Sequence, residues 1–232
     1  MIPNKHLLAK SLLIISLIFP VLNFGQATVY AHNQTESVSM DASLQTGDMP
    51  APLTRISEKL RSGQIFTAEM DHTFEDEFTG EVMRNTGVVW VTRDQYKVIA
   101  AGQEISVDGE TSIVWNEGQH KVIISPYFPE DDDFAPSRFL SDSERSYEVT
   151  NSETTGEGNT LVSLEAIDPF EVIVSVQILI NPDTLIPLEI RATDQTGNRY
   201  HTVFQDGSYL EPDESIFEIT WPESAEIIDL RE

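Results

Sequence analysis

A chain of 232 residues, 40% hydrophobic and 23% charged, has room for one globular domain plus terminal segments and enough apolar content for a core, which excludes a compositionally disordered protein. Its formal net charge of −25 excludes the basic surface that nucleic acid requires, opposes docking on an anionic membrane, and otherwise suits a well-solvated acidic surface. With no cysteine there is no disulfide, thiolate metal site, thiol nucleophile or residue to carry a lipid anchor.

In chain order, Lys5 and Lys10 precede an apolar run from Leu12 to Leu22 that only Ser16 and Pro20 interrupt, and small residues follow at Gly25, Ala27 and Ala31. That is the layout of a secretory signal peptide over residues 1–31, with cleavage after Ala27 or Ala31. The run falls short of the roughly 20 residues that a membrane span needs. Its removal takes away Lys5 and Lys10 and no acid, so the mature chain is more acidic still. We expect an exported, soluble, monomeric protein of the periplasm.

Residues 32–52, rich in Ser, Thr, Gln, Asn and Asp, read as a flexible polar leader, and residues 53–232 as a single domain. Leu53, Ile56 and Leu60 recur at helical spacing up to Arg61, with Gly63 as a stop; the spacing predicts one short amphipathic helix. From Gln64 the period becomes two: Phe66, Ala68, Met70, His72 and Phe74 share one face and Thr67, Glu69, Asp71, Thr73 and Glu75 the other. Similar segments occupy 86–92, 95–100, 103–108, 111–115, 121–125, 146–150, 160–166, 171–180, 185–193, 199–205 and 216–221. Turn chemistry separates several of them, at Asp108-Gly109, Asn116-Glu117-Gly118, Asn181-Pro182-Asp183 and Gln195-Thr196-Gly197-Asn198.

So many strands with so little helix predict a mainly β (α+β) protein whose antiparallel meander is strongly curved, because a wide sheet must twist, curl and close or be covered. The one further helix candidate is the short stretch 136–142. Two small helices over a wide curved sheet leave space for a cavity; a filled sandwich or barrel core is the alternative.

Catalytic signatures are missing. The histidines are His6, His32, His72, His120 and His201, with no pair at zincin spacing, and there is no nucleophile elbow, phosphate loop or dinucleotide fingerprint. The Gly156-Glu157-Gly158 stretch is only a weak echo of the last. The run Glu130-Asp131-Asp132-Asp133 lacks the alternating ligands and central glycine of a calcium loop. We therefore expect no enzyme, no catalytic residue, no cofactor and no metal.

Five segments stand out in order: Gly87-Val88-Val89-Trp90-Val91-Thr92-Arg93, Val107-Asp108-Gly109 leading into Ile113-Val114-Trp115-Asn116, and Phe134-Ala135-Pro136-Ser137-Arg138-Phe139-Leu140, then Asp194-Gln195-Thr196-Gly197-Asn198 followed by Phe204, and Phe217-Glu218-Ile219-Thr220-Trp221-Pro222 ending in Ile227-Ile228-Asp229. Taken together, they resemble the outer-membrane lipoprotein carrier family, LolA. The resemblance spans Leu53 to Glu232 and implies an incomplete β-barrel capped by short helices, the fold shared with the receptor LolB. It implies binding of an acylated lipoprotein or other fatty-acylated ligand, accepted from an inner-membrane exporter complex and passed to an outer-membrane receptor. The receptor is itself a lipoprotein, so the absence of cysteine favours the carrier.

By the same resemblance Arg93 stands at the cavity mouth and helps hold the lid through hydrogen bonds, while Val89, Val91, Tyr96, Val98, Trp115, Phe139 and Leu140 line the cavity. The chain departs from the family pattern at Asp94, where proline is usual, at Met70 and His72, where phenylalanine and glutamine are common, and at Tyr96 and Val98, a reduced aromatic pair; a one-residue slip would turn these last two outward. The alternative reading is a related lipid-binding or envelope-sensing interaction module without lipoprotein handover.

Overall fold

The computed structural model describes residues 49–231; the signal peptide expected over 1–31 and the leader as far as residue 48 lie outside them. Helix α1, Ala51–Arg61, starts two residues earlier than the Leu53 spacing indicates. Pro50 is its N-cap and Pro52 falls in its first turn, where a missing N–H costs nothing because that donor has no intrahelical partner anyway. Lys59 and Arg61 sit in the last turn, favourably placed against the helix dipole. Gly63, at φ 91°, makes the left-handed stop that a side chain would resist. The helix buries Leu53, Ile56 and Leu60 completely.

Six strands follow: β1 Ile65–Glu75, β2 Val82–Val91, β3 Tyr96–Ala100, β4 Gln103–Val107, β5 Thr111–Asn116 and β6 Lys121–Pro126. After two short helices, α2 Pro136–Leu140 and α3 Ser143–Ser146, the chain resumes with β7 Tyr147–Thr154, β8 Thr160–Ala166, β9 Ile173–Asn181, β10 Ile186–Asp194, β11 Arg199–Leu210 and β12 Glu226–Asp229. All twelve belong to one sheet, in the order β12-β6-β5-β4-β3-β2-β1-β11-β10-β9-β8-β7. Two antiparallel meanders are thus joined edge to edge by β1 and β11, whose register runs from Phe66 opposite Tyr209 to Glu75 opposite Arg199. β12 and β7 remain as the two edges, so the curved sheet is an incomplete barrel. Its inner face and α1 share one hydrophobic core that includes Phe66, Val89, Val162, Leu164, Val176 and Ile178.

The expected strand over 216–221 does not form. Asp213 caps a single 3-10 turn, Glu214–Phe217, by accepting from the Ser215 N–H. The chain after it lies on the outer face of β3 and β4, where Ser106 Oγ donates to the Phe217 carbonyl (2.5 Å) and Lys97 Nζ to that of Glu218 (2.8 Å). The alternation of Phe217 and Ile219 therefore reflects packing onto the sheet, since these carbonyls are taken by side chains instead of a ladder. The closing strand is β12, and it pairs with β6 in parallel, Glu226 opposite Lys121 and Asp229 opposite Ile124, which an antiparallel meander did not predict.

Gly87 occupies a point where β2 and β3 approach too closely for a side chain: a Cβ there would fall on the Ile99 carbonyl oxygen and 2.8 Å from the Ala100 Cβ. Gly87→Val is expected to lower stability by about 1–3 kcal/mol, read as a lower urea midpoint with an unchanged slope; an unchanged midpoint would show that the strands separate at no cost.

Candidate functional site

The inner faces of β1, β2 and β3 on one side and of β10 and β11 on the other form the wall of a cavity of about 150 Å³. Directly opposed residues of adjacent strands point to the same face, so the wall can be read in rows. Val89 stands opposite both Ala68 and Val98. Next comes Met70, opposite Gly87 on β2 and Phe204 on β11, with Ala100 opposite Gly87. In the third row His72 stands between Asn85 and Thr202, with Ile190 opposite Thr202. In the fourth, Phe74 stands between Met83 and Tyr200, with Ala192 opposite Tyr200.

Phe134, Pro136 and Phe139 supply the roof, and the Phe134 ring packs 4.9 Å from that of Tyr200. The roof's apolar contacts are supplemented by polar clamps. The Asp132 carboxylate, 4% exposed, accepts from the Tyr96 hydroxyl (2.7 Å), the Tyr127 hydroxyl (3.0 Å) and the Phe134 N–H (3.3 Å). Burial, reinforced by the Asp132 charge, holds both phenols well above their ordinary pKa, so they stay protonated and donating. On α2, Arg138 pairs with Glu171 at 2.5 Å and lies 3.7 Å from Asp133. From α1, Arg61 donates to the Ser141 carbonyl (2.9 Å) and Asp142 (3.1 Å) and pairs with Glu144, while Ser57 Oγ donates to the same Ser141 carbonyl (2.7 Å).

Of the residues singled out in the sequence, Val89, Tyr96, Val98 and Phe139 meet at this cavity. Val91 and Leu140 are fully buried in the core beside it. Trp115 is on the other side of the sheet: it alternates with the inward Val114, stands opposite Glu104 and Val122, and packs against His120 at 5.6 Å. Arg93 pairs with Asp94 at 3.5 Å and borders, instead of the apolar cavity, a polar cleft shared with the lid residues Ala135, Ser137 and Arg138 and with Arg145 and Glu171; Arg138 and Arg61 make the ion pairs that fasten the lid.

The β10–β11 contribution, and Asn85 and Asp132, were not anticipated. The inward set of β1 was legible from its alternation, but its neighbouring strand β11 lies far along the chain, as the 130-residue separation of His72 and Thr202 shows.

The wall carries no Lys or Arg. His72 Nδ1 lies 2.8 Å from Thr202 Oγ1; burial, with a smaller contribution from His201, lowers its pKa to about 4, so the imidazole is neutral at ordinary pH. Among the described residues no group of three His, Asp or Glu side chains converges on a point where a metal could sit, and no helix is long and apolar enough to cross a membrane.

No family model and no curated protein matches the chain. Among solved structures the fold is similar to that of an uncharacterized conserved protein from Thermus thermophilus, with a TM-score of 0.49 and 10% identity over 75% of this chain and 97% of that one. It is similar to a LolA superfamily protein from Nitrosomonas europaea, with a TM-score of 0.39 and 11% identity over 72% and 96%. It is also similar to the Pseudomonas aeruginosa MucA/MucB complex structure, at 0.34 and 14% over 72% and 59%. These TM-scores lie below 0.5, so what this cavity does has to be read from its own side chains.

The His72 environment gives stability a pH dependence. An unfolded chain binds a proton at this histidine near its ordinary pKa of 6.5 and the folded chain only at about 4, so the contribution is fully present above about pH 6.5 and is lost as pH falls to about 4. The loss amounts to about 3 kcal/mol. Urea titrations at a series of pH values should show wild type losing that much relative to His72→Gln between pH 7.5 and pH 4; parallel curves would contradict the buried, neutral imidazole.

Proposed function

We propose that this protein is a non-enzymatic periplasmic carrier that holds the acyl chains of a lipoprotein in the cavity between sheet and lid, taking it from an inner-membrane exporter and delivering it to an outer-membrane receptor. The observation that carries the reading is the combination of an apolar, cation-free cavity with a roof fastened partly by polar clamps at its margins. Burying each methylene is worth about 0.8 kcal/mol, so a handful of them outweighs any single hydrogen bond to the ligand.

A cavity of about 150 Å³ matches the engineered void that accommodates one benzene, and it is smaller than the ~300 Å³ at which drug-sized sites begin. On this reading the volume beneath the lid is too small for a long acyl chain, which enters as the lid lifts. Loading exchanges the roof's own apolar contacts, Phe134 on Tyr200 among them, for contacts with the ligand. That exchange keeps net affinity moderate and allows release. The polar clamps can be re-formed with water when the lid is raised, so opening does not strand them.

A second reading, an interaction module without handover, is favoured by one feature. Phe78 at the β1–β2 tip is 97% exposed and Phe170 in the β8–β9 loop 86%. Both loops brace the β10–β11 turn, through Glu77 N–H to Asn198 Oδ1 (3.0 Å) and Gln195 Nε2 to the Pro169 carbonyl (3.1 Å). Exposed aromatics on a braced rim suit docking on another protein.

Native mass spectrometry of periplasmically expressed protein should show bound lipid or lipoprotein. Ala192→Phe, which fills the cavity from β10, should reduce binding of a neutral hydrophobic dye by at least about tenfold while the protein stays folded. Undiminished dye binding would place the ligand elsewhere. Release of lipoproteins from spheroplasts by wild type, and by Phe78→Ser/Phe170→Ser with dye binding intact, separates the carrier from the module: a module binds dye and releases nothing.

A further inference from the structure

We infer that the cross-strand row Asn85, His72 and Thr202 is a headgroup subsite selecting uncharged acyl esters and amides over free fatty acids; this rests on the reading of the cavity as an acyl site. His72 stands directly opposite Asn85 on β2 and Thr202 on β11, so three polar side chains adjoin in a wall that is otherwise mostly apolar. The row on one side of them is Met70, Gly87 and Phe204, leading on to Ala68 and Val89; the row on the other is Phe74, Met83 and Tyr200, next to the β1–β2 hairpin end. A chain lying along the rows would put its hydrocarbon against Val89 and Val98 and its head at the polar row.

His72 and Thr202 already engage each other at 2.8 Å. Asn85 is half-buried and lines the cavity, and among the described residues its carboxamide has no hydrogen-bond partner. It offers two N–H donors and a carbonyl acceptor, which suits an ester or amide carbonyl together with an amide N–H or a hydroxyl. A carboxylate finds the opposite environment. No Lys or Arg lines the cavity, and its one charged wall residue is Asp132, whose oxygens are taken by Tyr96, Tyr127 and the Phe134 N–H. His72, with its pKa lowered to about 4 by burial, supplies no positive charge at pH 8. A carboxylate at this row is desolvated without a counter-charge, whereas a neutral carbonyl satisfies a waiting donor.

The test is displacement of Nile red from the purified protein at pH 8 by dodecanoic acid, its methyl ester and its primary amide. The ester and amide should displace the dye at concentrations at least about tenfold below those the acid needs. In Asn85→Leu the dye should bind as before and the ratio collapse to within about threefold. Asn85→Lys, which supplies the missing counter-charge, should improve displacement by the acid at least about tenfold, a gain that misfolding cannot produce. Equal displacement by acid and amide in wild type, or a ratio that survives Asn85→Leu, overturns the subsite while leaving the acyl cavity standing; failure of wild type to bind the dye overturns both.

Discussion

Pairing of β1 with β11 brings together strands from opposite ends of the domain, and it is the constraint from which the rest of the structure follows. It sets Met70 opposite Phe204 and His72 opposite Thr202, fusing two meanders that would otherwise each be a small open sheet with one face in water. Once fused, the twist inherent in every strand accumulates across all twelve and the two halves curl toward each other. The cavity wall exists only because of that junction: β2 and β3 supply one side, β10 and β11 the other, and β1 runs between them. The bulge between Thr67 and Glu69 lies in the same ladder, where an extra residue increases local bend and twist.

Such a sheet needs a cover, and the cover is held by two kinds of interaction with different consequences. Phe139 and Leu140 are buried against the core, which costs a great deal to undo, whereas Arg138, Arg61 and Asp132 fasten the margins by ion pairs and hydrogen bonds. The partly exposed Arg61 pairs exchange readily for water and contribute little net stability, whereas the buried Asp132 contacts and the largely buried Arg138 pair give the lid a defined closed position. Arg138 reaches from α2 to Glu171 in the β8–β9 loop, tying the lid to the far meander as Tyr96 ties it to the near one.

Charge is distributed with the same logic. The chain has a net charge of −25, while the cavity wall holds one carboxylate, engaged by two tyrosines and a backbone N–H, and no Lys or Arg. The outer surface keeps the protein dispersed and away from anionic bilayers. The interior presents an apolar wall with a few neutral hydrogen-bonding groups.

Much of the architecture was legible from the chain alone because alternation is a local property. The period-two runs located eleven of the twelve strands, the Leu53, Ile56 and Leu60 spacing located α1, and Pro136 located the lid helix. The same signal misread 216–221, since a segment lying on a sheet and a segment lying in one can share an alternating pattern; only the carbonyls taken by Ser106 and Lys97 tell them apart. Trp115 shows a related limit. β5 has apolar residues on both faces, Val114 inward and Ile113 and Trp115 outward, so hydrophobicity does not reveal which set meets the cavity.

What the sequence by itself determined, then, is where strands and turns lie and which side chains share a face, because those depend on neighbours one or two residues away. What only the tertiary structure decided is which face turns inward, which distant strands meet, and which arginine fastens the lid. These depend on contacts such as His72 with Thr202, 130 residues apart, and Arg138 with Glu171, for which the chain carries no local periodicity and which arise only when the sheet curls.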